Sequence, residues 1–138
     1  MTQALAIDHI CIAVRDLAAA RKIYEERLGL GPVHEYVAES EKIRVARYYV
    51  GEVALELMES TSPDGDVARF IEKKGEGVFL ISYRVPDVMA ALDEYHQRGE
   101  KTIDQRPREL MGNRYAFIHP PKEMAGVLTE IIEGDFRP

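Results

Sequence analysis

Cysteine, positive charge and long apolar runs are all scarce in this sequence. Cys11 is the only cysteine among 138 residues, so no disulfide can form within the chain, and a reducing cytoplasmic location fits. Lysine and arginine number 18 against 24 acidic residues, and the net charge of -6 argues against a nucleic-acid-binding surface. No segment has the length of a membrane span or the basic and apolar pattern of a signal peptide. These absences predict a soluble cytoplasmic protein without nucleic-acid or membrane partners.

What the sequence does contain is an internal repeat. With Ile7 aligned on Val78, the two halves of the chain match without gaps through a strand and the helix that follows it. Each half is interpreted as β-α-β-β-β. Because neither half alone can bury its sheet face, the two sheets are expected to share one core or cavity. The matched positions are Ile10 with Ile81, Val14 with Val85, Asp16 with Asp87, Tyr24 with Tyr95, and Arg27 with Arg98.

The repeat predicts an α+β fold in a single domain spanning residues 1–138, with two paired β-α-β-β-β modules that form a curved, cavity-enclosing mixed sheet. Module one covers residues 5–60, a connector helix lies within 61–76, and module two covers 77–134. An aspartate caps the start of each repeated helix. The other predicted elements are strands over 5–14, 33–37, 43–50, 53–58, 102–104, 114–119 and 126–132, and helices over 17–28 and 66–74. The predicted buried face of the first helix consists of Leu17, Ala20, Tyr24 and Leu28.

His9 places a polar ring inside an apolar strand that runs from Ile7 to Val14. Two interpretations are open, namely a core histidine bonded to a backbone carbonyl and a ligand for a metal ion. This segment alone favours the core histidine. Cys11, in the same run, is interpreted as a packing residue. His119 is interpreted as structural or as the rim of a pocket.

Three polar residues on strands form a candidate site. Glu56 lies on the last strand of module one and Glu130 on the last strand of module two, at equivalent places in the repeat. If the modules pair about a pseudo-twofold axis, their first and last strands line one concave face, where His9, Glu56 and Glu130 converge. One imidazole and two carboxylates suit a divalent metal with open positions for water or substrate.

Several segments resemble the vicinal oxygen chelate superfamily, which includes glyoxalase I, methylmalonyl-CoA epimerase, extradiol dioxygenases and bleomycin-resistance proteins. The resemblance covers nearly the whole chain and is closest to the methylmalonyl-CoA epimerases. The segments that carry it include Ile7-Asp8-His9-Ile10, Leu55-Glu56-Leu57-Met58-Glu59-Ser60, Phe117-Ile118-His119-Pro120 and Gly126-Val127-Leu128-Thr129-Glu130. It implies a homodimer and puts His9, Glu56 and Glu130 at three of four metal-ligand positions. It also implies that Glu130 is an acid/base residue.

The sequence departs from the family pattern at two positions. The fourth ligand position normally carries histidine, and Leu80 stands there, after Phe79. Metal affinity is therefore expected to fall unless another group fills the gap. The second acid/base position falls on Val45, and the nearest carboxylate, Glu41, has no assigned place.

Two functions of different classes follow. The first is an epimerase-like enzyme that carries out metal-assisted proton transfer α to a thioester carbonyl. Its small-molecule substrate would be an acyl-CoA, and its cofactor a divalent ion such as Co, Mn, Ni or Zn. The second is a divergent glyoxalase or bleomycin-resistance-type protein that uses the same cavity, either as a binding protein for a small ligand or as an enzyme without metal. Phe79 and Leu80 favour the second, because they make the floor of the pocket apolar.

Overall fold

The computed structural model describes all 138 residues and contains eight strands and three helices. The α+β fold class with two β-α-β-β-β modules is confirmed. The first module and the connector consist of β1 (Ala6–Ala13), α1 (Leu17–Leu28), β2 (His34–Ala38), β3 (Ile43–Val50), β4 (Val53–Ser60) and α2 (Asp66–Lys74). The second module consists of β5 (Gly77–Arg84), α3 (Val88–Gln97), β6 (Arg108–Leu110), β7 (Asn113–Phe117) and β8 (Leu128–Ile132).

The chain divides into two compact units, a first unit of residues 9–79 and a second unit of residues 1–8 and 80–138. In the first unit the strand order is β2-β3-β4-β1, with β1 parallel to β4 and the other pairs antiparallel. In the second unit the order is β5-β8-β7-β6, with β5 parallel to β8 and the other pairs antiparallel. In both units the first strand of the module therefore pairs in parallel with the last, as expected for a duplicated module.

At the start of each repeated helix, two backbone N–H groups donate hydrogen bonds to side-chain carboxylates. The carboxylate of Asp16 accepts a hydrogen bond from the backbone N–H of Ala19, and Asp87 does the same for Ala90. The first N–H of each helix donates to a glutamate at or just beyond the end of the module's last strand. These bonds are Leu17 N–H to Glu59 at 2.7 Å and Val88 N–H to Glu133 at 2.9 Å. The predicted caps are confirmed, and the glutamates explain how each helix is held to its own sheet.

Each helix covers one face of its sheet. Leu17 and Ala20 of α1 pack on Ala46, Tyr48 and Leu57. In the second unit, Val88, Ala91 and Leu92 of α3 form a buried cluster with Val85, Ala116, Ile118 and Ile131. The helix-covered faces are the apolar ones, so any buried polar group on a neighbouring strand position points to the opposite face.

The prediction of a buried Leu28 is wrong, because its side chain is 64% exposed. α1 ends at this residue, and Gly29 at φ 65° reverses the chain. Leu30 and Val33, which follow the reversal, pack against the helix cluster instead.

The predicted strand over 102–104 is also wrong. Its backbone N–H groups at Ile103 and Asp104 donate to the carbonyls of Ile118 and Phe117, but the Thr102 hydroxyl donates to the carbonyl of Asp104. The edge strand is β6, which the sequence did not predict. The last strand begins at Leu128 rather than residue 126, because Ala125 and Gly126 adopt positive φ angles of 55° and 91° in the turn before it.

No helix of the structure is both long enough and apolar enough to cross a bilayer. The homodimer, the cytoplasmic location and the single-domain organisation stay predictions of the sequence.

Candidate metal centre

The candidate site in the first unit lies on the sheet face opposite α1. Leu57 packs toward α1, so its neighbour Glu56 points to the other face. The parallel register pairs Cys11 with Glu56, and His9 lies two residues before Cys11 on the same face of β1. The antiparallel register pairs Arg47 with Glu56 across β3 and β4. Four polar side chains are therefore gathered on one face by strand pairing alone.

The donor atoms of His9, Cys11 and Glu56 lie within 4.8 Å of one another, and all three residues are buried. Glu56 Oε1 is 3.7 Å from His9 Nε2 and 3.4 Å from Cys11 Sγ. The first distance is too long for a hydrogen bond, whereas the second suits a thiol donor. An imidazole nitrogen, a sulfur and a carboxylate oxygen at this spacing are a donor set that fits a divalent metal ion.

The other carboxylate oxygen of Glu56 is held by two strong donors. Arg47 donates to Oε2 at 2.9 Å and the hydroxyl of Tyr36 donates to the same oxygen at 2.7 Å. Arg47 is itself buried, packs over the ring of Tyr49 and donates to its hydroxyl. The ion pair therefore neutralises a carboxylate that has no exposure to water.

These contacts set the protonation states of the donors. Burial, followed by the Glu56 carboxylate, raises the pKa of Tyr36, so the hydroxyl stays a donor at neutral pH. Burial opposes the charge of Arg47, but the attraction of Glu56 outweighs it and raises the pKa of the guanidinium. Both donors thus stay on Oε2, and the opposite oxygen, Oε1, faces His9 and Cys11.

The second unit carries an equivalent carboxylate with different neighbours. Glu130 of β8 is paired in register with Ser82 of β5, and the Ser82 hydroxyl donates to Glu130 Oε1 at 2.8 Å. This contact matches the one between Cys11 and Glu56. Leu80 precedes Ser82 by two residues, as His9 precedes Cys11, so strand pairing agrees with the predicted equivalence of Leu80 and His9. Phe117 faces Glu130 across the antiparallel pair, where the first unit has Arg47.

Of the three predicted ligands, the structure brings His9 and Glu56 together in the first unit, and Glu130 is buried in the second unit. The membership of Glu130 in one metal site with the other two stays a prediction. Sequence reasoning missed Cys11, which it treated as packing. The two-residue spacing from His9 on a strand was the available signal, because it puts both side chains on one face.

Arg47 and Tyr36 were also missed. The Gly51–Glu52 turn fixes the β3–β4 register, so Arg47 opposite Glu56 could have been found from the sequence. Tyr36 carries no such signal. Val45, at the predicted second acid/base position, is fully buried and has no group that could carry a proton. His119 is buried with its ring 4.9 Å from that of Tyr95, in agreement with a structural role.

A cavity of about 520 Å³ in the first unit lies on the α1 side of the sheet, with Asp16, Leu17, Ala18 and Arg21 among its walls. Tyr36, which holds Glu56, is also a cavity wall. The charged residues of the wall largely pair with one another, through Arg21 with Glu35 and Arg44 with Glu59. The cavity therefore lies on the opposite side of the sheet from His9, Cys11 and Glu56, and it carries little unbalanced charge.

A model of the family described as the glyoxalase/bleomycin resistance protein/dioxygenase superfamily matches residues 8–117. The chain is 38% identical over 128 residues to an uncharacterized protein of Bacillus subtilis, YqjC, covering 92% of this chain and 91% of that protein. It is 27% identical over 128 residues to the ethylmalonyl-CoA/methylmalonyl-CoA epimerase of Cereibacter sphaeroides, covering 91% and 95% of the two chains. A solved structure, a Streptomyces coelicolor methylmalonyl-CoA epimerase variant in complex with 2-nitronate-propionyl-CoA, matches with a TM-score of 0.88. It is 33% identical, and the match covers 97% of this chain and 100% of that chain.

Proposed function

Because the chain belongs to the glyoxalase/bleomycin resistance/dioxygenase superfamily, we propose that it is an epimerase-like enzyme acting on an acyl-CoA thioester. The proposed reaction moves the proton α to the thioester carbonyl with the help of a divalent metal. The observation that carries the proposal is the buried pair of His9 and Glu56, whose donor atoms approach within 3.7 Å without forming a hydrogen bond. Similarity to epimerases, one of them in complex with an acyl-CoA analogue, supports the substrate class.

The proposed metal ligands are His9, Glu56 and Glu130. Co, Mn, Ni and Zn all suit an imidazole with carboxylates. When bound, such an ion stabilises the negative charge that develops on the thioester oxygen as the α-proton leaves. The chain's own contribution to orientation is the ion pair with Arg47 and the hydrogen bond from Tyr36, which fix the carboxylate of Glu56.

We assign the acid/base role to Glu130. Its carboxylate is buried and oriented by the Ser82 hydroxyl, so it can take the α-proton, which then exchanges with solvent; inversion requires that the α-carbon is reprotonated on the face opposite Glu130. A carboxylate that also ligates a metal is a weakened base. The proposal therefore implies slow turnover compared with an enzyme whose base is free of the metal.

The proposal is tested by incubating the full chain with methylmalonyl-CoA in deuterated water, with Co, Mn, Ni or Zn added in turn. We expect deuterium at the α-carbon, and we expect Glu130→Gln to reduce its rate about 10²-fold or more. Glu123→Gln is the matched control, because that glutamate is exposed on a short turn outside the strands. Absence of α-deuterium with every metal would contradict the proposal.

A second candidate function is small-ligand binding without metal. It is favoured by the donors around Glu56, since Arg47, Tyr36 and Cys11 satisfy the carboxylate without an ion. Elemental analysis of protein purified without chelator separates the two candidates. Stoichiometric metal counts against the binding protein, and metal-free protein that fails to bind added ions counts against the enzyme.

A further inference from the structure

Cys11 occupies a place that the proposed ligand set leaves unused. Its thiol is fully buried on β1, in the same cluster as His9 and Glu56 and on the same sheet face. The repeat-equivalent residue in the second unit is Ser82, a weaker ligand for soft metals. The first unit thus combines an imidazole, a sulfur and a carboxylate, and the second unit combines a hydroxyl and a carboxylate.

Two of the three distances in the cluster fit the edges of a metal coordination polyhedron, and the third, between His9 and Cys11, is at most 4.8 Å. For bonds of about 2.0–2.3 Å, neighbouring ligand atoms around a tetrahedral ion are about 3.3–3.8 Å apart. The observed separations from Glu56 Oε1 are 3.7 Å to His9 Nε2 and 3.4 Å to Cys11 Sγ. We infer that Cys11 is a metal ligand through its thiolate sulfur, so that the first unit supplies three ligands instead of two.

Charge balance supports a thiolate at this position. Arg47 cancels the charge of Glu56, so that ion pair presents no net negative charge to a divalent cation. A doubly charged ion in a buried site needs anionic partners nearby. The Cys11 thiolate supplies one such charge within the first unit. It also compensates, in ligand number, for the leucine at the fourth family position.

The inference reduces the number of candidate metal ions. Thiolate ligands favour Zn and Co over Mn, which prefers oxygen. It rests on the proposed function only in assuming that the site binds a divalent ion, and the two ideas can fail separately.

The test is a titration of the full chain with Co²⁺, followed by absorption. We expect a near-ultraviolet sulfur-to-cobalt charge-transfer band in addition to the visible bands of the ion. Because Cys11 is the only cysteine, no other thiolate of the chain can produce that band. Cys11→Ser should abolish the band and weaken cobalt binding about tenfold or more. Ile12→Val is the matched control, because Ile12 is on the same strand but packs on the helix side, and it should keep the band.

Cobalt binding with visible bands but no charge-transfer band in the wild type would overturn the role of Cys11 and leave the proposed metal-assisted function standing. Failure of the wild type to bind cobalt at all would overturn both. Since the decisive observation is made on the unmodified chain, poor folding of the Cys11→Ser variant does not affect it. Retention of the band in a folded Cys11→Ser variant would also overturn the inference.

Discussion

At the scale of single residues, the Glu56 carboxylate organises the first unit's polar face. It contacts Arg47 and Tyr36 through one oxygen and approaches His9 and Cys11 through the other. A fully buried carboxylate is tolerated only because a cation and several donors compensate its lost hydration. The same residue therefore bears on stability and, under the proposed ligand set, on metal binding, and the two roles can be separated by substitution.

Arg47→Met should lower the free energy of unfolding by about 3–5 kcal/mol, because it leaves Glu56 buried without its cation. Arg47→Met/Glu56→Leu should recover most of that loss, since it removes the unpaired charge as well. Denaturant unfolding followed by circular dichroism measures both. Arg44→Met is the matched control on the same strand, where the ion pair with Glu59 is longer and more exposed, and its cost should stay below about 1 kcal/mol. A double variant no more stable than Arg47→Met would contradict this account.

The residues of this site differ in how far the sequence could predict them. His9 and Glu56 could be predicted, because a polar residue within an apolar strand demands a partner. Cys11 and Arg47 could also have been predicted. Strand alternation puts Cys11 on the same face as His9, and the two-residue turn sets the register that pairs Arg47 with Glu56. Tyr36 could not, since its contact depends on the exact placement of the edge strand β2, whose pattern is weak.

At the scale of elements, both modules use the same arrangement to attach a helix to a sheet. An aspartate caps the third N–H of the helix, and a glutamate at or just after the last strand of the module accepts from the first. The glutamates Glu59 and Glu133 each lie three residues after the site carboxylate of their module. The last strand of a module therefore carries one glutamate toward the polar face and positions another for the helix start.

Asp16→Ala and Asp87→Ala should each lower the free energy of unfolding by about 1 kcal/mol, because each removes one helix cap. Asp16→Asn and Asp87→Asn retain an acceptor at the same position and should lose only a small part of it. Asp93→Ala, on the exposed side of α3, is the control and should change stability by less than about 0.5 kcal/mol. Equal losses for the alanine and asparagine variants would show that charge, and not the hydrogen bond, is responsible.

Helices and hairpin strands were predicted well because their signals are local. Caps, glycine at helix ends and the Gly51–Glu52 turn each act within a few residues, and β3 and α2 have the predicted bounds. The 102–104 segment was assigned wrongly because its two backbone hydrogen bonds go to Phe117 and Ile118, which are distant in sequence. β6 was missed although it pairs with β7 across a local two-residue turn, where Leu110 is opposite Asn113.

At the scale of the whole molecule, the two units share topology but have diverged in their polar faces. The carboxylates Glu56 and Glu130 and their hydrogen-bonded neighbours Cys11 and Ser82 are retained in equivalent register. His9 is matched by Leu80, so the imidazole is present in one unit only. Under the proposed ligand set, this asymmetry identifies position 80 as the place where a ligand is missing.

Leu80→His should bind Co²⁺ more tightly than the wild type, because it restores an imidazole at the position equivalent to His9 under the proposed ligand set. The variant should be less stable without metal, since the buried ring needs a partner for its second nitrogen. Excess metal should offset that loss. Isothermal titration of both proteins measures the affinities, and thermal unfolding with and without cobalt measures the stabilities. Equal affinities would contradict the ligand set derived from the repeat.

The parallel pairing of β1 with β4 also has a consequence for the order of folding. Arg47 and Glu56, which pair across a hairpin, are nine residues apart in sequence, whereas Cys11 and Glu56 are 45 residues apart. Closing the longer loop costs more chain entropy, so the hairpin and its ion pair are expected to form before β1 docks. The proposed metal ligands of the first unit are thus expected to be completed late on the folding pathway. A bound ion would therefore slow unfolding far more than it speeds refolding, and it would protect the protein kinetically once folded.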